Sequence, residues 1–225
     1  MGAPRKPLVT IHDAALPRAR FERLATAIEA LGRERIVAGY QTTFWFDFSA
    51  EPSSLVEREV LTLRELVPAK VRARAIGVEW WLSRMRTSNV KVDFHRDRDN
   101  ALWDQQRREA NPVLGSLLYL GSCRGGLLAV TKEPPNAKNP AFAPDVHDFD
   151  FVEPRANRFA FFDGRLTHGV LDAKNQIPGA RLPTERTWRR AIAINFWDRR
   201  PLDVPGFAAS AHYRRLRLTR LNRSS

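Results

Sequence analysis

Two early stretches carry apolar residues at helical spacing. In 17–32, PRARFERLATAIEALG, the residues Phe21, Leu24, Ala25, Ile28 and Leu31 share one face. Pro17 suits a first helical turn and Gly32 an end. In 54–67, Ser54 and Glu57 have capping-box spacing and Pro68 marks the stop. From about residue 76 the texture changes to short runs cut by Gly, Pro, Asn and Asp. GVEWWLSRMR, VLGSLLYLGS, GLLAVTKE, DFDFVEP, NRFAFFDG and RRAIAINFWD all have residues suited to strands. Long helical stretches between them are missing, so a parallel α/β sheet is disfavoured and an all-β sandwich or barrel is expected. Residues 98–112, 132–147 and 171–188 read as loops. The first ten residues are expected to be mobile, and the tail from about 208 to be a short helix or a mobile basic end.

Composition bounds this picture. The 225 residues are 43% hydrophobic and include 13 Phe and 6 Trp, enough for a substantial core in one domain. The organisation expected is a single domain over 1–225: mostly helical support in 1–75, a β-barrel core in 76–200 and a basic tail in 208–225. Cys123 stands alone, which rules out an internal disulfide or a cysteine zinc cluster. With no signal-type apolar segment and no run long enough to span a bilayer, a cytoplasmic protein is expected. The net charge of +12 suits acidic partners. The arginines are scattered, however, with one cluster in HYRRLRLTRLNRSS, and show no regular interleaving with aromatics. Nucleic acid is the less favoured substrate class.

The densest chemistry is in NVKVDFHRDRDNAL, residues 89–102. If 92–97 is extended, Asp93, His95 and Asp97 point to one side and Phe94 and Arg96 to the other. His95 and Asp97 then grip one ion together, and a third ligand must come from elsewhere. His168, after an aromatic strand and a glycine turn in FFDGRLTHGV, is the best candidate. His12, His147 and His212 rank below it. Two imidazoles and one carboxylate leave positions open on an octahedral ion, the pattern of non-haem iron oxygenases; zinc takes the same ligands. Asp93 and Asp99 read as surface groups or as partners of a ligand rather than ligands. Gly125 and Gly126 read as a tight turn. Trp80 and Trp81 face opposite ways on their strand, one to the core and the other to a pocket or a helix. Trp80, Arg98 and Trp103 are candidate pocket residues.

From residue 76 to about 200 the chain resembles the Fe(II)/2-oxoglutarate-dependent dioxygenases, which are double-stranded β-helix enzymes. Four pieces carry the resemblance in order: HRD at 95–97, SLLYLGSCRGGLLAV at 116–130, FVEPRANRFAFFDGRLTHGV at 151–170 and RRAIAINFW at 189–197. It implies a mainly β, jelly-roll or cupin-like barrel braced by N-terminal helices. It further implies Fe(II) on His95, Asp97 and His168, with 2-oxoglutarate as cosubstrate and O₂ as oxidant. Arginine suits the cosubstrate's buried far carboxylate, through a two-pronged hydrogen bond. The resemblance puts that arginine at Arg190 or Arg189. Arg190 is the preferred choice, because it starts the alternation Arg190, Ile192, Ile194, Phe196. Tyr119 is a second donor. The activity implied is hydroxylation of a C–H bond in a small molecule, amino acid or peptide. The alternatives are an oxidative dealkylase of nucleic acid and an inactive ligand-binding barrel. Asp97 speaks against the halogenase variant. The oligomeric state is left open.

Overall fold

The computed structural model describes residues 5–32, 43–86, 92–135, 149–171, 188–207 and 213–218. His147, His212, most of 132–147 and of 171–188, and the outer parts of the basic tail lie outside the described residues.

Among the described residues, ten strands form two antiparallel sheets. They are β1 (Val9–His12), β2 (Phe44–Asp47), β3 (Gly77–Arg86), β4 (Val92–His95), β5 (Leu114–Tyr119), β6 (Leu128–Thr131), β7 (Asp150–Val152), β8 (Phe159–Asp163), β9 (Thr167–Val170) and β10 (Trp188–Trp197). The larger sheet has the order β1-β8-β5-β10-β3-β2 and the smaller β4-β9-β6-β7. This is a mainly β, jelly-roll architecture. Two of its strands precede residue 75: β1 pairs with β8, and β2 with β3. The N-terminal third is therefore part of the sheet as well as its helical brace, and residues 9–12 are ordered by pairing.

The helices α1 (Arg18–Glu29), α2 (Leu55–Arg64) and α3 (Ala69–Arg74) cover one face of the larger sheet. Ser54 and Glu57 close the expected capping box: the Ser54 hydroxyl accepts the Glu57 N–H at 3.1 Å, and the Glu57 carboxylate accepts the Ser54 N–H at 3.0 Å. Leu24 and Ile28 of α1 and Val56, Val60 and Leu63 of α2 pack on Leu82, Ile192, Ile194 and Phe196. Trp80 belongs to this layer. It is fully buried, with Phe44 at 4.8 Å and Phe207 at 5.5 Å between ring centroids. It is a core residue and not a pocket residue, because the helices cover the face of β3 on which it lies.

The tail returns to the same layer. Leu216, in a 3₁₀ turn at Arg214–Leu216, is fully buried, and the Leu218 N–H donates to the Ser53 carbonyl at 3.0 Å. The stretch 98–112, expected as loop, holds a helix, α4 (Asn100–Gln106), whose first turn is capped by Asp99. No helix among the described residues is long and apolar enough to cross a membrane.

β10 has two different faces. Ile192, Ile194 and Phe196 meet the helices, while Arg189, Ala191, Ala193 and Asn195 line a cavity between the sheets. The short side chains of Ala191 and Ala193 leave room there that isoleucine would fill.

Candidate metal centre

β4 and β9 lie side by side, with His95 opposite His168 in register. The rings are 4.5 Å apart between centroids. Asp97, just past the end of β4, reaches both: Oδ1 is 3.2 Å from His95 Nε2, and Oδ2 is 3.5 Å from His168 Nε2. One ligand atom from each of the three residues falls in a cluster within 4.8 Å. Arg96 points away and donates to Thr167 Oγ1 at 3.3 Å, tying the β4 end to β9.

The imidazoles are oriented by main chain. His95 Nδ1 lies 2.7 Å from the Asp93 carbonyl and His168 Nδ1 3.2 Å from the Leu166 carbonyl. A carbonyl only accepts, so each Nδ1 carries the proton and each Nε2 presents a lone pair inward. Asp93 thus serves through its backbone, and its side chain is exposed. Asn195 donates to Asp97 Oδ2 at 3.0 Å, and Asn111 donates to the Asp97 carbonyl at 2.9 Å. Asp99 is structural: it caps α4, accepts the Leu202 N–H at 3.0 Å and pairs with Arg199.

Charge is finely set here. Burial raises the Asp97 carboxyl, but the two histidines and Asn195 outweigh it and hold the group well below the usual range. Desolvation in the cleft lowers the His95 ring, and Asp97 more than restores it, so its pKa is raised. His168 is pushed down to about 4, chiefly by burial and further by His95. Glu79, in register with Asn195, is pushed up to about 7 by burial and by Asp97.

A folded pKa below the unfolded value means that the unfolded chain binds the proton first. The stability tied to His168 is therefore complete above about pH 6.5 and is lost as pH falls toward 4, roughly 3 kcal/mol in all. The metal-free protein is expected to show a falling urea midpoint across that window. His168→Gln should flatten it, and an unchanged slope in that variant would refute the assignment.

The cavity holding the three ligands is bounded by residues of both sheets. Arg189 reaches into it from β10. Its Nε donates to the Gly126 carbonyl at 3.0 Å, its guanidinium lies 5.2 Å from the Tyr119 ring centre, and its Nη2 is buried with no hydrogen-bond partner among the described residues. Gly125 and Gly126, with φ of 77° and 67°, make the expected turn and present that carbonyl. Arg190 points the other way and pairs with Glu29 of α1 near the surface. The preference for Arg190 is thus corrected. The bulky alternating face that it begins is the helix-covered face, and the inward position is Arg189. Tyr119 is fully buried beneath Arg189, with its hydroxyl 3.4 Å from the Val152 carbonyl, and does not line the cavity. Arg98 and Trp103 do not line it either. Arg98 is exposed, and its guanidinium stacks 4.6 Å over Trp103 on α4. Trp81 lines the cavity in place of Trp80.

The polar lining residues Ser83, Ser116 and Asn195 escaped sequence reading, as did Glu79, which pairs in register with Asn195. Alternation was the available signal: Glu79 and Ser83 share one face of β3 with Trp81, and Asn195 shares one face of β10 with Arg189, Ala191 and Ala193.

No protein-family model matches this sequence, and no curated protein matches it. Its shape does have neighbours. HygX from Streptomyces hygroscopicus, solved with nickel and 2-oxoglutarate bound, aligns with a TM-score of 0.53 at 17% identity, over 92% of this chain and 89% of that one. AviO1 from Streptomyces viridochromogenes Tue57 aligns with a TM-score of 0.50 at 19% identity, over 88% and 92%. The likeness is one of fold: the chain shares the jelly-roll architecture of these two solved structures along most of its length.

Proposed function

We propose that this protein is a non-haem iron oxygenase that couples oxidative decarboxylation of 2-oxoglutarate to hydroxylation of a C–H bond in a small molecule, amino acid or peptide. One observation carries the reading. A single cavity holds two imidazoles with inward Nε2 lone pairs, a deprotonated carboxylate, and a buried guanidinium with an unpaired nitrogen. The donor set suits a divalent iron with open positions. The unpaired Nη2 of Arg189 suits a carboxylate brought in by a ligand. When bound, iron and 2-oxoglutarate supply the oxidising chemistry: the keto acid and O₂ become succinate and CO₂, and one oxygen atom enters the substrate.

The chain's own residues bind, orient and exclude water. His95, Asp97 and His168 hold the metal. Arg189 holds the far carboxylate, with the Tyr119 ring beneath its guanidinium. Leu117, Leu128 and Phe162 make that half of the cavity apolar, which strengthens the ion pair. A structure of HygX with nickel, 2-oxoglutarate and hygromycin B bound, at TM-score 0.51 and 16% identity, supports a small-molecule substrate. The test is metal-dependent ligand binding followed by turnover. 2-Oxoglutarate should raise the melting temperature only when Ni(II) or Mn(II) is present. Succinate should form from 2-oxoglutarate only with Fe(II). Succinate formation that persists under a chelator would refute the reading.

Asn195 donates to Asp97 Oδ2 and so helps orient the carboxylate. Asn195→Ala is expected to weaken Mn(II) binding about 10- to 100-fold by calorimetry, the usual loss when a partner of a ligand is removed.

A further inference from the structure

The proposed chemistry uses one half of the cavity. β10 runs along its middle. On the β5 side lie Leu117, Leu128 and Phe162, closed by Arg189. On the β3 side lie Trp81 and Ser83, in register with Ala193 and Ala191, and this side has no role in the chemistry above.

Two lining residues carry buried polar atoms with no hydrogen-bond partner: Arg189 at Nη2 and Ser83 at Oγ. Arg189 is accounted for by the cosubstrate. Ser83 is 6% exposed, and its hydroxyl has no hydrogen-bond partner among the described residues. Ser116 lines the same cavity and shows the ordinary solution, donating to the Ile194 carbonyl at 2.6 Å. An unsatisfied buried hydroxyl is costly to keep, and a ligand that bonds to it removes the cost. Trp81 lies one inward position along the strand, about 7 Å away. It is only half-buried and lines the cavity, with the small Ala193 opposite it in register.

We propose that this β3 wall is the substrate subsite and that it receives an uncharged hydroxylated ring, a pyranose or a cyclitol. The inference rests on the oxygenase reading. Both wall groups are neutral. Among the described lining residues, charge is confined to the metal ligands and Arg189, so a charged substituent against this wall would be buried without a partner. A serine hydroxyl both donates and accepts, which matches a ring hydroxyl. An indole at the cavity wall offers an apolar partner to the C–H face of a saturated ring. The small Ala191 and Ala193 supply the space between.

The test uses the full-length protein loaded with Ni(II) and 2-oxoglutarate, which is inert to turnover. The probes are methyl α-D-glucopyranoside, myo-inositol and, for contrast, L-proline and L-lysine, followed by saturation-transfer NMR. A polyol should bind in preference to both amino acids. Ser83→Ala should weaken it at least tenfold, and Trp81→Ala likewise, while Trp81→Phe keeps binding within a few-fold. Ser83→Ala should also raise the melting temperature of the ligand-free protein, the opposite of what a structural hydroxyl would do. If nickel and 2-oxoglutarate bind normally but no polyol does, or both alanine variants bind it as well as the wild type, the inference is overturned alone. If the wild-type protein binds neither nickel nor 2-oxoglutarate, the oxygenase reading falls first.

Discussion

Arg189→Ala is expected to abolish measurable 2-oxoglutarate binding to the Ni(II)-loaded protein, while Arg190→Ala leaves the affinity within about twofold. The two positions differ in burial and partner. Arg189 is 2% exposed, held by the Gly126 carbonyl and Tyr119, with one guanidinium nitrogen unpaired in the cavity. Truncating one member of a buried, hydrogen-bonded charge pair costs about 2–5 kcal/mol or more, or roughly 30- to several thousand-fold in affinity. Arg190 pairs with Glu29 where both side chains are partly solvated, and such a pair is worth about 0–1 kcal/mol. Arg189→Lys should recover part of the loss, since it keeps the charge and gives up the fork. Calorimetry with 2-oxoglutarate decides the matter, with circular dichroism as a check on folding. Equal losses at the two positions would reverse the assignment.

The second large effect is at Asp97. Asp97→Asn removes the negative ligand while keeping its shape, and stoichiometric Fe(II) or Mn(II) binding should disappear, a loss well beyond the roughly 10- to 100-fold caused by removing a ligand's partner. A second readout needs no metal. Asp97 raises the His95 pKa against the desolvation that lowers it. In Asp97→Asn the desolvation remains and the attraction is gone, so the His95 ring should titrate lower than in the wild type by NMR. Metal binding retained at full stoichiometry, or an unmoved His95 titration, would show that Asp97 is not the acid of this centre.

Much of this geometry was legible in the chain. β3, β5, β8 and β10 announce themselves by apolar residues bounded by turn formers, and His95, Asp97 and His168 meet as their spacing and order imply. The losses have physical causes. β1 and β2 are four-residue edge strands whose identity depends on partners far away in sequence, Phe159–Phe162 and Gly77–Trp80. The helix α4 carries its cap in Asp99, but an acid beside a candidate metal motif invites a chemical reading over a structural one. The two arginines could not be separated by alternation, because alternation divides β10 into two faces without saying which is covered by helices. The size of the side chains held that information: the helices need the bulk of Ile192, Ile194 and Phe196, and a binding space needs the alanines.

That split has an evolutionary corollary. Ala193 is only half-buried at the cavity wall, so exchanging it is expected to alter selectivity with little effect on melting, whereas Ala191, buried with Leu117, Tyr119 and Phe162, also serves cohesion. Descendants of such a chain can diversify their chemistry through single steps along one strand, and a deep mutational scan should find Ala193 tolerant for expression yet sensitive for ligand choice, and Ala191 sensitive for both.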